Sequence, residues 1–187
     1  MIASRLAELL VRHSSPTLAG IKTGSLFSLP QCFNDDLKEA IVQFNCSSKG
    51  KNICLIPVRS DKNRTLLYVY RPSFLKQDLR CAKCRNYLKK LGYPVEKTVA
   101  CVREYIDRLS KSDEFLHEIG FFLGYPADDV IGFIEYGPKC AKCKSAWLVY
   151  SDIAGAKRKS RAYRTCQKIY MANWRQGKSI ESLTVAV

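Results

Sequence analysis

The pattern of apolar and polar positions is clearest in the middle of the chain, where it predicts two strands. Residues 53–58 and 65–70 are rich in branched and aromatic side chains, and the polar stretch RSDKNR separates them. Two such runs around a polar turn are typical of a β-hairpin, which is antiparallel. A further β-rich run at 146–150 predicts another strand. The sequence therefore predicts an α+β fold, with a small antiparallel sheet (central hairpin 53–70 plus strand 146–150) covered by several helices.

Apolar residues at helical spacing predict helices over most of the remaining chain. Pro16 is expected to end the first helix, and Asn34 to cap the second. Gly92 and Gly177 are expected to end two of the later ones. The predicted helices cover residues 1–12, 35–44, 75–91, 95–110, 113–123, 127–135 and 153–176. No stretch has the composition of a linker, so we expect a single domain over 1–187.

Composition adds a strong positive charge to this picture. The chain has 187 residues, with 31 Lys plus Arg against 17 Asp plus Glu, and a formal net charge of +14. Hydrophobic residues make up 47%, which is enough for a core and excludes wholesale disorder. No apolar run is long enough for a secretory signal or a membrane-spanning helix. We therefore expect a cytoplasmic protein without a membrane partner, in which thiols stay reduced.

Nine cysteines are many for a chain of this length, and the tetrapeptide CAKC occurs twice, at 81–84 and 140–143. A Cys-x-x-Cys pair can supply two ligands to zinc or an iron–sulfur cluster, or form a redox disulfide. The 55 residues between the pairs are far more than the roughly 15–20 of a zinc ribbon. The first pair shares a face of predicted helix 75–91 with Leu88, so we expect it to fill the core.

The second pair precedes a predicted strand, in a loop where thiols are freer to bind a metal or to be oxidised. Cys166 lies on the closing helix, which is expected to return it to that loop. His117 lies beside acidic residues of predicted helix 113–123, where an imidazole serves as a general base or a metal ligand, or bonds a backbone carbonyl in a structural role. The sequence therefore predicts a metal or redox cluster, with zinc or iron as the metal, formed by Cys140, Cys143, Cys166 and His117.

The closing helix also carries a line of basic residues. Residues 139–178 contain 11 basic side chains and one acidic side chain. Five of them fall within about 40° of one line on a helix, opposite aromatic residues expected in the core. We call them the basic ridge: Lys157, Arg161, Arg164, Lys168 and Arg175. Such a ridge is typical of binding to nucleic acid or to an acidic protein, and the alternative is an ordinary solvated face.

The segment HEIGFFLGYPADDVIGFIE at 117–135 carries a family resemblance, together with SPTLAGIKTGSLF at 15–27 and AWLVYSD at 146–152. With these motifs the chain resembles the bacterial family catalogued as domain of unknown function 3793, typical of anaerobic Firmicutes. The resemblance covers nearly the whole chain and names no activity, substrate or catalytic residue. It implies an association with flavodoxin and iron-uptake genes.

Two classes of function remain open from the sequence. The first is a thiol- or metal-linked cytoplasmic protein of anaerobic redox or iron physiology. The alternative is a binding module that uses the basic ridge to hold nucleic acid or an acidic redox protein such as a flavodoxin. An enzyme acting on a small metabolite would need a pocket near His117, the candidate catalytic residue.

Overall fold

The computed structural model of the protein describes residues 2–30 and 36–187, so Asn34 lies outside the described residues. It divides into two compact units. The first comprises Met1–Ser73 and Tyr163–Val187, and the second Phe74–Ala162. The single domain over 1–187 stays a prediction.

The first unit is built on a three-stranded antiparallel sheet. Its strands, in spatial order, are β1 (Gly24–Pro30), β3 (Arg64–Tyr70) and β2 (Cys54–Ser60). β2 and β3 form the predicted hairpin, because Asp61 organises the turn between them. Its carboxylate accepts backbone N–H bonds from Asn63 at 2.8 Å and Arg64 at 3.0 Å. The hairpin prediction is confirmed.

Helices cover one face of this sheet. They are α1 (Ile2–Leu18), α2 (Leu37–Ser47), the C-terminal half of α8 (Ile153–Arg175) and α9 (Ile180–Leu183). Alternate strand positions such as Leu67 and Val69 meet buried α1 side chains such as Leu10 in one apolar core. Tyr170 and Trp174 of α8 pack against this core, as the pattern of that helix predicts.

The first helix continues beyond the expected stop, because α1 runs through Pro16 to Leu18. A proline inside a helix cannot donate to the carbonyl four residues earlier, here that of Arg12. The side-chain Nε2 of Gln167 donates to the Arg12 carbonyl at 2.5 Å instead. The prediction that the helix ends before Pro16 is therefore wrong, because a residue distant in sequence supplies the missing donor.

The second unit consists of short helices and a two-stranded hairpin. Its elements are α3 (Pro72–Asp78), α4 (Ala82–Lys90), α5 (Thr98–Lys111), α6 (Ile119–Phe122), α7 (Ala127–Tyr136), a 3-10 turn (Pro138–Cys140), β4 (Cys143–Lys144) and β5 (Leu148–Val149). α3 begins in the first unit, and α8 starts in the second unit and ends in the first. No helix within the described ranges is both long and apolar enough to cross a membrane.

The run at 146–150 contains a strand, β5, but not one of the main sheet. β5 pairs with the adjacent β4, and Lys142 N–H extends this pairing by donating to the Val149 carbonyl at 2.8 Å. The third strand of the main sheet is β1. The α+β class is confirmed. The expected place of strand 146–150 in the main sheet is wrong, because the backbone groups of β5 form their hydrogen bonds with the neighbouring β4 instead.

Two predicted helices are shorter than expected. The single helix predicted over 75–91 is broken into α3 and α4 at residues 79–81. Of the helix predicted over 113–123, only α6 forms. Tertiary bonds explain the second difference, because Tyr105 Oη donates to the Leu116 carbonyl at 3.2 Å and Tyr93 Oη to the buried Glu118 carboxylate at 3.0 Å.

Candidate functional site

Cys81 and Cys84 lie at the first turn of α4. Cys81 occupies the N-cap position and is exposed, whereas Cys84 is 3% exposed. The Cys81 carbonyl accepts the first helical bond, from Arg85 N–H at 2.9 Å. Because the two residues between the cysteines are helical, the Cα atoms of the pair lie about 5 Å apart. That separation falls within the window of roughly 4.4–6.8 Å that a disulfide requires.

The two thiols of this pair differ in their environment. Burial raises the pKa of the Cys84 thiol to about 12, and the neighbouring Cys81, Cys101 and Asp78 act in the same direction. Cys101 is fully buried, and burial also raises its pKa to about 12. The site therefore combines one thiol open to solvent with a second thiol that is protonated and shielded.

The expectation that both cysteines fill the core is confirmed for Cys84 and wrong for Cys81. Buried side chains explain the difference. Leu75 and Leu79 are buried in the first half of the segment, and Cys84 and Leu88 in the second. The step of five residues from 79 to 84 does not fit one helical face, because five residues turn a helix about 140° beyond a full turn. This spacing is the sequence signal for a new helix beginning at Cys81.

The second CAKC pair lies where the 3-10 turn leads into β4. Cys140 is exposed, and Cys143 is half-buried with its Sγ 3.5 Å from the Lys144 carbonyl. Cys166 lies on α8 in the first unit, where burial raises its pKa to about 11. All eight cysteines within the described ranges are free thiols.

His117 is exposed and lies in the turn that leads into α6. Its ring meets the rings of Phe115 and Phe133 edge-on, with centroid distances of 5.9 and 4.8 Å. Among residues 2–30 and 36–187, no group of three or more His, Cys, Asp or Glu side chains is placed to hold a metal ion. The structure therefore does not gather the four predicted ligands Cys140, Cys143, Cys166 and His117 into a metal centre.

His117 instead lines a cavity of about 190 Å³ inside the second unit. Tyr125 and Trp147 stack on each other at this cavity, with centroids 5.0 Å apart, and Phe133 and Leu123 also line it. The pocket that a role for His117 would need is therefore present, although its walls are mainly apolar.

Asp129 holds the wall of this cavity in place. Its carboxylate is 2% exposed and accepts the Trp147 indole N–H at 2.7 Å. It also accepts both backbone N–H groups of Tyr150 and Ser151, and the Ser151 hydroxyl, each at 2.8 Å. Burial alone would raise the pKa of this carboxyl, but the four donors outweigh burial and lower it. Asp129 is therefore a buried anion that fixes the 147–151 segment to α7.

The basic ridge is exposed along α8. Each of its five residues has an exposed side chain, and within the described part of the chain no ion pair joins any of them to a carboxylate. The ridge therefore presents five uncompensated cations to solvent.

Comparison with models of protein families gives a match. Residues 10–184 match the model of the family described as "Protein of unknown function (DUF3793)". Because the match covers most of the chain, the chain belongs to this family. No curated protein and no solved structure matches it.

Proposed function

Since the chain belongs to a family whose description names no activity, we propose its function from the geometry: a cytoplasmic thiol–disulfide exchange protein of redox physiology, with Cys81 and Cys84 as its redox pair. The observation that carries the proposal is the pairing of an exposed N-cap thiol with a buried thiol one helical turn later. The Cα separation of such a pair falls within the range that a disulfide requires.

The exchange takes place in two steps. The exposed Cys81 sulfur, as thiolate, attacks a substrate disulfide R–S–S–R′, so the S–S bond breaks, R′S⁻ leaves and a Cys81–S–S–R bond forms. Cys84 then attacks the Cys81 sulfur, releases RS⁻ and closes the Cys81–Cys84 disulfide. The two protons of the protein thiols end on the two released thiolates. The protein loses two electrons and the substrate disulfide gains them.

Burial of Cys84 supports a division of labour between the two thiols. A thiol whose pKa is raised to about 12 is a poor first nucleophile for a substrate in solution. Once a mixed disulfide has formed on Cys81, the thiol of Cys84 lies one helical turn away, and this proximity favours the second step. Cys81 therefore attacks the substrate and Cys84 resolves the intermediate.

This proposal is tested by anaerobic reaction of the reduced protein with glutathione disulfide. Wild type is expected to release two glutathione molecules for each pair oxidised, and to lose two hydrogen atoms in mass. Cys84→Ser is expected to stop with one glutathione attached at residue 81. In Cys81→Ser the remaining thiol, Cys84, is expected to react with glutathione disulfide at least about 100-fold more slowly than Cys81 does in Cys84→Ser, because it is shielded from solvent.

Cys140→Ser is the matched control, because it removes the exposed cysteine of an identical tetrapeptide. It should leave the rate of oxidation at Cys81 and Cys84 unchanged. The proposal is contradicted if oxidation depends on Cys140 rather than Cys81, or if stoichiometric metal occupies these thiols in protein purified without oxygen.

The exposed basic ridge supports a second candidate function, the binding of an acidic redox protein such as a flavodoxin. A line of unpaired cations steers an acidic partner and gives salt-dependent binding. Binding of single-stranded nucleic acid would need aromatic side chains beside these cations for base stacking. Tyr170 and Trp174 pack against the core instead, which favours the acidic protein.

Charge reversal tests this second function. Arg161→Glu with Arg164→Glu should weaken binding to an acidic flavodoxin at least about tenfold at low salt, and flatten the salt dependence. Lys49→Glu with Lys62→Glu is the matched control, because it makes the same change in net charge at exposed residues that are not part of α8. Equal losses in both variants, or tighter binding of an oligonucleotide than of the flavodoxin, would contradict the assignment.

A further inference from the structure

We infer that the cavity beside His117 binds a small aromatic molecule of one ring that carries one hydrogen-bonding substituent. The inference is independent of the thiol chemistry proposed above. It rests on the volume of the cavity, on the rings in its wall and on the imidazole of His117 at its edge.

The size of the cavity sets the size of the ligand. A volume of about 190 Å³ is somewhat larger than the roughly 150 Å³ of an engineered apolar cavity that takes up benzene. One ring with a short substituent fits this volume, and a fused polycyclic cofactor does not.

The rings in the wall favour a planar ligand. Tyr125, Trp147 and Phe133 line the cavity, and Tyr125 and Trp147 stack with only 23° between their planes. Aromatic rings gain additional attraction when they pack offset or edge-on against another ring. A flat ring therefore gains more from this wall than a puckered aliphatic ring of the same size.

The imidazole of His117 can form a hydrogen bond with the ligand from the edge of the cavity. The Trp147 N–H donates to Asp129, and the Asp129 carboxylate already accepts four donors. His117 is exposed at the cavity, so it lies where the cavity meets solvent, and its ring offers a donor and an acceptor nitrogen. The ligand's substituent therefore meets His117 while its ring enters the apolar part.

The wall is fixed before any ligand arrives. The four bonds to Asp129 hold Trp147 and the residues after β5 on α7. Gly120, another lining residue, allows Val130 to lie closer than a side chain would permit, since a Cβ there would come within 2.8 Å of Val130 Cγ2. A preformed wall lowers the ordering cost of binding.

The inference is tested by measuring, with calorimetry and NMR, how tightly the protein binds three probe molecules. Phenol is the expected ligand type, toluene lacks its hydroxyl group, and cyclohexanol lacks its planar ring. Phenol should bind at least about tenfold more tightly than either comparison molecule, since each of them loses one of the two recognised features. Equal affinity for all three, or binding of none, would overturn the assignment.

Two variants locate the binding. His117→Phe keeps a ring between Phe115 and Phe133 but removes both nitrogens, so phenol affinity should fall to that of toluene. Leu148→Trp places a larger side chain in the cavity from a half-exposed position, so it should abolish the binding of phenol and of toluene. The thermal midpoint of this variant shows whether it folds. His13→Phe is the matched control and should bind phenol like wild type. An unchanged preference for phenol in His117→Phe would refute the role of the imidazole.

Discussion

Replacing Arg71 by leucine is expected to lower the free energy of unfolding by about 4 kcal/mol, or to prevent folding. Arg71 is fully buried at the end of β3. Its guanidinium donates to the carbonyls of Thr17 at 2.8 Å, Leu18 at 2.6 Å and Lys51 at 2.6 Å. Leucine fills similar space but leaves three carbonyls without this donor, and an unmade bond at a buried polar group costs about 1–3 kcal/mol.

The helix α1 explains why a buried cation is tolerated at this position. Thr17 and Leu18 are its last residues, and the carbonyls at a helix C-terminus have no donors within the helix. The helix dipole also makes that end negative, which favours a cation. Burial lowers the pKa of Arg71, but an arginine side chain remains protonated in proteins. Arg71 thus caps α1 and ties it to the sheet.

Urea unfolding of matched variants measures this contribution. Arg71→Lys keeps the charge but has a single donor nitrogen, so an intermediate loss of about 2 kcal/mol is expected. Arg64→Leu makes the same chemical change at the exposed start of β3 and should cost less than about 0.5 kcal/mol. Equal losses for Arg71→Leu and Arg64→Leu would show that the buried bonds do not stabilise the fold.

Replacing Asp129 by alanine is expected to cost about 3 kcal/mol of unfolding free energy. The change leaves the Trp147 indole, two backbone N–H groups and the Ser151 hydroxyl without their acceptor. The adjacent Asp128 gives the matched control, because its carboxylate is half-exposed and pairs with Lys83 at the surface. Asp128→Ala should cost no more than about 0.5 kcal/mol. Similar costs at the two positions would contradict the role assigned to Asp129.

The lowered pKa of Asp129 predicts a pH dependence. A carboxyl whose pKa is lower in the folded state than in the unfolded state stabilises the fold above the unfolded value, about 4. That contribution is lost as the pH falls from about 4 through the lower pKa of the folded state. The difference in unfolding free energy between wild type and Asp129→Asn should therefore be constant above pH 5 or so and shrink below about pH 4. A difference that grows on acidification would contradict this assignment.

The sequence predicts well those elements whose pairing or end is determined by residues close to them in the chain. The β2–β3 hairpin depends on its own alternation and on the Asp61 turn. α8 ends at Arg175, just before Gly177 adopts a φ of +84°, which a residue without a side chain adopts freely. Such determinants lie within a few residues of the element they control, so they are visible in the pattern.

The elements that the sequence does not predict depend on distant partners. α1 passes Pro16 because Gln167 supplies a donor from 155 positions beyond Arg12. Asp128 and Asp129 look alike in sequence, as acidic residues in the first turn of α7. Only the folded 147–151 segment makes one of them a buried acceptor of four bonds.

The candidate site was predictable in part. The two CAKC pairs stand out in the sequence, but the assumption of one helix over 75–91 placed Cys81 in the core. Its N-cap position becomes evident only when the five-residue step between Leu79 and Cys84 is recognised as a break. The role of His117 as a cavity residue depends on Phe133 and Trp147, which later elements bring to it.

The most direct measurement is a peptide map of the wild-type protein after equilibration with a glutathione redox buffer and rapid acid quenching. Thiol–disulfide exchange at this pair predicts one reversible link, between Cys81 and Cys84, whose yield rises with the oxidised fraction of the buffer and titrates as a two-electron couple. A map in which Cys81 and Cys84 stay unlinked while other cysteines pair, or in which no link forms under oxidising conditions, would contradict it.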